Sequence, residues 1–293
     1  MRQGMSERAH TNVFKTDVLR TGRFRLDGGG MFGIIPQALW SKWVERDESN
    51  RVGLQCNAIL LQDDDRRILI ETGYGEKWNE KDRAIFGMED RTAVDALAEH
   101  GLEPDEITDV ILTHLHFDHA GGVTRWADPE RGDEGGFEPT FPNARIVVQA
   151  REWEDALANR STMTRTYLRS HLEPIADRIM TVDGTSEVLP GVTVRPVPGH
   201  TWGQQSIEWS DGTHDYLFPG DACPTRAHVH PSASTAYDVE PWTNMNTKKS
   251  ILDRCRDEGR LLVLGHDPEA PVVRCVTPGE GRRGHALECV DSI

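Results

Sequence analysis

Short, densely apolar runs alternate along the chain with polar stretches that begin abruptly where the runs end. Residues 54–62 and 67–71 flank Asp63-Asp64-Asp65, which predicts a β-hairpin whose second arm, Ile68-Leu69-Ile70, is apolar on both faces and therefore buried. Residues 12–26 alternate more loosely (Val13, Val18, Leu19, Phe24, Leu26) and predict one or two strands, broken by Gly28-Gly29-Gly30. The period changes at residues 92–100. There Val94, Leu97 and Ala98 share a helical face, Thr92 and Asp95 form a capping box, and Gly101 is the stop.

A strand over 109–112 follows at once, and further strands are predicted at 144–149, 180–182, 192–198 and 261–264. Residues 205–209 and 216–218 make a hairpin across Asp211-Gly212-Thr213, and 271–276 with 285–290 make a terminal one. Residues 150–178 read as largely helical with a break near Pro174, and a later helix is capped by Asn246 and closed by Gly259. Residues 128–141, rich in glycine, proline and acid, read as a surface loop. Helices that feed buried strands are the signature of a layered α/β protein. The polar residues 1–11 are expected to be a mobile tail and 12–293 a single domain.

Composition narrows the functional classes. With 293 residues and 37% hydrophobic content, core material is ample. A net charge of −15 opposes a nucleic-acid groove or a general affinity for anionic membranes, and leaves a neutral small molecule as the expected partner. No apolar stretch approaches the ~18 residues of a membrane span. Five scattered cysteines without a C-x-x-C pair are no disulfide framework, and they suit a reducing cytoplasm.

The chemistry sits where strands end. The run Val110-Ile111-Leu112 empties into Thr113-His114-Leu115-His116-Phe117-Asp118-His119, three histidines and an aspartate within six positions. The same event recurs at Pro198-Gly199-His200, at Gly220-Asp221 and at Gly265-His266. Sheets bring several strand ends to one edge, so these residues are expected to converge there. Five histidines and two carboxylates suffice for two divalent ions, three protein ligands each plus one shared carboxylate. Two ions ~3.5–4 Å apart would share a hydroxide whose pKa has fallen to ~7, a nucleophile that needs no serine or cysteine.

This set of motifs resembles the metallo-β-lactamase-fold hydrolases over roughly residues 54–266. The resemblance implies a four-layer αββα sandwich with two packed mixed sheets. It implies one metal held by His114, His116 and His200 and a second by Asp118, His119 and His266, with Asp221 bridging. Zinc is the expected metal, with manganese, iron or cobalt as alternatives.

Gly29-Gly30-Met31-Phe32-Gly33 with Pro36, Leu39 and Trp40, together with Ala236-Tyr237-Asp238, is similar to the quorum-quenching N-acyl-homoserine lactonase branch. That likeness implies a metal-bridging hydroxide attacking a lactone carbonyl, Asp118 passing a proton to the leaving alkoxide, and a possible homodimer as the assembly. Some such lactonases carry a tyrosine a few residues after the bridging aspartate. Here Cys223-Pro224-Thr225 stands at that place, so Tyr237 or His228 would substitute for it. Met31, Phe32 and Trp40 are expected to line an acyl-chain pocket, and Cys223 to be a spectator. His171, His214 and His285 are expected to be solvated. Other esters, thioesters, β-lactams and organophosphates stay open as substrates on the same site, and a non-catalytic metal-binding regulatory module stays open as another class.

Overall fold

The computed structural model describes residues 13–161, 166–279 and 284–290. The expected tail, residues 1–11, lies outside the described residues. Two mixed sheets face each other. The first, of six strands, runs in the order Lys15–Asp27, Arg51–Gln62, Arg67–Ile70, Asp109–Ile111, Arg145–Gln149, Ile179–Val182, parallel from its third strand onward. The second, of seven, has the order Ala286–Cys289, Val272–Val276, Leu261–Val263, Asp215–Phe218, Gln205–Ser210, Val192–Pro196, Ser186–Leu189, and its one parallel pair joins Asp215–Phe218 to Leu261–Val263.

The apolar runs make these layers because they are apolar on both faces. In the first sheet Ile59, Leu61, Ile68, Ile70, Ile111 and Val147 point into the space between the sheets. Their neighbours Leu60, Leu69, Val110, Ile146 and Val148 point outward and pack with residues of the helices Ala93–Ala98 and Ala150–Leu157. In the second sheet Tyr216, Phe218, Leu261 and Val263 face inward, while Leu217, Leu262 and Leu264 cover the helix Pro241–Glu258 through Ile251, Leu252 and Cys255. Helix, sheet, sheet, helix is the αββα arrangement that the motifs implied. Each buried aliphatic side chain contributes about 1.5–3 kcal/mol, so the two-faced strands carry most of the hydrophobic stabilisation.

Several local expectations are corrected. The helix near 246 starts earlier, with Pro241 in its first turn and Glu240 at its cap, while Asn246 lies inside and donates to the Trp242 carbonyl at 2.9 Å. Proline suits a first helical turn because its missing N–H has no partner to lose there. The glycines after Asp27 do not simply break the chain: Gly28–Phe32 is a short helix whose cap is Asp27, accepting from the Gly30 N–H. Residues 128–141 include the strand Phe137–Pro139, paired with Thr124–Trp126 and held by stacking of Trp126 on Phe137. Within 150–178 the helix stops at Leu157, and Arg169–Leu172 and Glu173–Arg178 are separate turns. No helix among the described residues is long and apolar enough to cross a membrane.

Candidate metal centre

Parallel pairing of Asp215–Phe218 with Leu261–Val263 puts Asp221 and His266 at one end of the second sheet. The turn after Asp109–Ile111 comes from the first sheet to meet them. Asn57 stitches the sheets together there, its amide donating to the carbonyls of Leu264 and Asp267 at 2.8 and 2.9 Å. Asp118 and His119 sit on the helical turn Phe117–Ala120, whose cap is His116. That turn passes so close to the 72–74 backbone that a Cβ on Gly121 or Gly122 would lie 2.3 Å from the carbonyl oxygens of Tyr74 or Thr72. The glycine pair is therefore a steric requirement of the motif.

The side chains gather into two groups. His114, His116 and His200 form one, and Asp118, His119, Asp221 and His266 the other; in each, the ligand-capable atoms lie within 4.8 Å of one another. All seven residues are at most 8% exposed. Nitrogen faces nitrogen in both: His200 Nε2 is 3.0 Å from His116 Nδ1, and His266 Nε2 is 3.0 Å from His119 Nε2. Asp221 spans the groups. Its Oδ2 lies 3.4 Å from His200 Nε2, and its Oδ1 lies 3.5 and 3.3 Å from the Nε2 atoms of His119 and His266.

A divalent ion fits this set. His114 Nε2 and Asp221 Oδ1 are buried and have no hydrogen-bond partner, a cost of several kcal/mol that a cation at the centre of the ligands would relieve. Four of the imidazoles are also aimed from behind. Thr113 Oγ1 lies 3.0 Å from His114 Nδ1, and the Gln55 carbonyl 3.0 Å from His266 Nδ1. Asp238 Oδ1 lies 2.8 Å from His200 Nδ1, and Glu71 Oε2 3.4 Å from His119 Nδ1. The carbonyl and the two carboxylates can only accept and so fix the tautomers of His266, His200 and His119, the Thr113 hydroxyl orients His114, and in each case the other nitrogen is left for a ligand.

The electrostatics suit a cation too. Burial and neighbouring imidazoles push the pKa values of His114 and His116 well below the usual range, so both are neutral donors. Burial opposes a charge on His119 and His266 as well, but Asp221, joined by Glu71 and Asp118 at His119 and by Cys56 at His266, outweighs it and holds both well above the usual imidazole range. Asp221 is pushed up by burial, yet its imidazole neighbours keep it well below the ordinary carboxylate range. Protons stand where positive charge is wanted.

Glu152, fully buried, ties the two ligand loops together. Its Oε1 accepts from the Leu115 N–H at 2.9 Å and the Tyr167 hydroxyl at 3.1 Å, and its Oε2 from the Thr201 hydroxyl at 2.6 Å. Sequence reading missed Glu71, Glu152 and Asp238. Asp238 stood in the Ala236-Tyr237-Asp238 motif without a role of its own, and Glu71 left a signal as one more polar residue at the end of a buried strand; its positive φ of 64° marks strain at the site.

The residues expected to meet substrate are placed unevenly. Tyr237 packs against the cluster of Phe24, Met31 and Phe32, and its hydroxyl makes no hydrogen bond among the described residues. Burial and the carboxylates of Asp27 and Asp118 push its pKa up to about 12, which keeps the proton on it. Phe117, inside the motif but not singled out by it, is half-buried against Trp78 and Phe86. Trp40 is 1% exposed and stacks on Phe32 at 5.3 Å, within the core rather than on a pocket wall. Met31 and Phe32 are also buried but edge a cavity of about 920 Å³, whose walls hold none of the seven clustered residues. His228 lies flat on Phe32 at 4.9 Å. Its Nε2 donates to the Met31 carbonyl and its Nδ1 meets the Thr225 hydroxyl, so neither nitrogen is left for substrate. Of the three histidines expected to be solvated, His171 is 1% exposed and His285 pairs with Asp253 at 2.9 Å, while His214 keeps substantial solvent contact. Cys223 is fully buried, with its thiol pushed up to about 12 by burial.

His228 gives a testable pH dependence. Burial lowers its pKa to about 4, whereas an unfolded histidine titrates near 6.5. Between those values the unfolded chain carries the extra proton, so stability falls as pH drops from 6.5 towards 4, by about 3 kcal/mol in all. Denaturant titrations of His228→Gln should lose that part of the acid slope; an unchanged slope would show that His228 is not its source.

Residues 51–266 match the family model described as the Metallo-beta-lactamase superfamily. The chain is 29% identical to an N-acyl homoserine lactonase of Bacillus thuringiensis over 223 residues, 72% of this chain and 80% of that one. It superposes on a probable metal-dependent hydrolase from Staphylococcus aureus with a TM-score of 0.83 at 28% identity, covering 96% and 98% of the two chains. An N-acyl homoserine lactone hydrolase solved with N-hexanoyl-L-homoserine at its catalytic metal centre gives 0.66 at 25% identity, over 88% and 95%.

Proposed function

Because this chain belongs to the metallo-beta-lactamase superfamily and is a metal-dependent hydrolase, we propose that it works with two metal ions and opens the ring of a lactone, an N-acyl-homoserine lactone in particular. The observation that carries the two-ion reading is the reach of Asp221, one oxygen towards each ligand group. His114, His116 and His200 would hold one ion and Asp118, His119 and His266 the other, with Asp221 shared. Mixed nitrogen and oxygen donors suit zinc first, with manganese, iron or cobalt as alternatives. When bound, such a pair supplies Lewis acidity and a water activated at neutral pH.

The chain's own residues supply the rest. Glu71, Asp238, Thr113 and the Gln55 carbonyl hold the imidazoles in one orientation, so no reorganisation is needed as charge develops. Tyr237, protonated and without a protein partner, is the donor for the substrate carbonyl oxygen. Asp118 is the group that takes the proton from the attacking oxygen and hands it to the departing ring oxygen as the carbonyl–oxygen bond breaks, its carboxylate lying beside His266 and His119 at the edge of the cluster. The partly buried rings of Phe117, Trp78 and Phe86 offer an apolar wall next to Asp118, where an acyl chain would lose water.

The deciding experiment is a panel of short- and long-chain homoserine lactones, simple lactones, a thioester, a β-lactam and a phosphotriester. Homoserine lactones should be opened fastest, and Tyr237→Phe should slow that reaction by up to ~10²-fold. If lactones stay closed while another member turns over, the substrate assignment is wrong. If nothing turns over, the lactone assignment is wrong and the substrate of this hydrolase lies outside the panel.

A further inference from the structure

Asp238 is buried at 5% exposure, and no hydrophobic pattern demands a carboxylate there. It is held from three sides. Its Oδ1 meets His200 Nδ1 at 2.8 Å and accepts from the Thr235 hydroxyl at 2.8 Å, while its Oδ2 accepts from the Asn244 amide at 2.7 Å. The loop around it is pinned to the same neighbourhood. The N–H groups of Val239 and Glu240 donate to the carbonyls of His200 and Gly199, and the Ala236 N–H donates to Gly30. Lys248, buried on the long helix, donates to the Ala233 carbonyl at 2.9 Å. Gly199 makes the approach feasible, since a Cβ there would lie 2.4 Å from Asn244 Cα.

We propose that Asp238 is a positioning residue with two outputs: it aims His200 Nε2 at the first ion and, through the same loop, sets Tyr237 over the site. The inference rests on the two-ion reading above. With Nδ1–H given to a carboxylate, His200 has one tautomer, and its Nε2 lone pair points at the space shared with His116 Nδ1, 3.0 Å away. Because the carboxylate that does this is the residue after Tyr237, an ion on the first group and the placement of the phenol are linked. Glu71 supports His119 from its own strand end and carries no substrate loop, so the link belongs to the first ion alone.

The test is chelator competition on the metal-loaded protein, zinc as the probe, with wild type run first. Two bound equivalents in wild type uphold the two-ion reading; fewer sink it and this inference with it. Given two, Asp238→Asn, which keeps the shape and removes the charge, should release one equivalent at ~10–100-fold lower chelator concentration and hold the other as wild type does. Its cobalt-loaded form should show an altered ligand-field band, and the thermal midpoint of its metal-free form should match wild type. Thr235→Val leaves the contact between Asp238 and His200 in place and should shift the same equivalent less. Unchanged release of both equivalents, or equal loss of both together with a lowered metal-free midpoint, would overturn the proposal. Should Asp238→Asn fail to fold, Thr235→Val decides: selective weakening of one equivalent upholds the proposal, and wild-type release rejects it.

Discussion

Asp221→Ala should lower kcat/KM for a homoserine lactone by ~10³-fold or more, about 4 kcal/mol of transition-state stabilisation. Asp221 sends one carboxylate oxygen towards each ligand group: one is 3.4 Å from His200 Nε2, the other 3.3 Å from His266 Nε2. On the two-ion proposal, truncating it would remove a ligand from each ion. It also removes the main influence that counters the burial of His119 and His266. Metal analysis of the variant should find less than the wild-type content, and Asp221→Asn, of nearly equal volume, should fall with it, which separates charge from packing. A variant working at the wild-type rate would take Asp221 out of the bridging role.

The layers and the cluster were legible for one physical reason. A strand buried on both faces must be an uninterrupted apolar run, and the first polar residues after it lie at the sheet edge; Asp221 and His266 stand at such points and His114 one residue beyond, while His200 follows the turn after the half-polar strand Val192–Pro196. What lay hidden was the support behind the ligands. Glu152 comes from a helix, and Asp238 from a loop, and each reaches its partner through space across 37 or more residues. Nothing in the local pattern around either residue records such a contact. The aromatic residues misled for the converse reason. Trp40 and His228 carry polar atoms or large rings that suit a pocket as well as a core, and only packing distinguishes the two: Trp40 lies against Phe32, and His228 has both nitrogens committed.

Removing the metal should cost the protein both its activity and part of its stability, and the two losses should share one dependence on chelator concentration. Without an ion, Asp221 Oδ1 and His114 Nε2 are buried polar atoms with no hydrogen-bond partner. An ion that binds only the folded chain adds about 4 kcal/mol at a thousand times its dissociation constant, and at roughly 2 °C per kcal/mol the thermal midpoint should fall by about 8 °C on stripping. The pH dependence has a definite sign. Metal-free His119 and His266 hold their protons to unusually high pH because Asp221 faces them, so protons compete with the ion and affinity falls as the solution is acidified. Less chelator should therefore be needed at pH 6 than at pH 8, with activity and midpoint returning together when zinc is restored. If the stripped protein keeps its midpoint and its rate, the buried cluster is not a metal centre, and the hydrolytic reading of this chain has to be rebuilt on other residues.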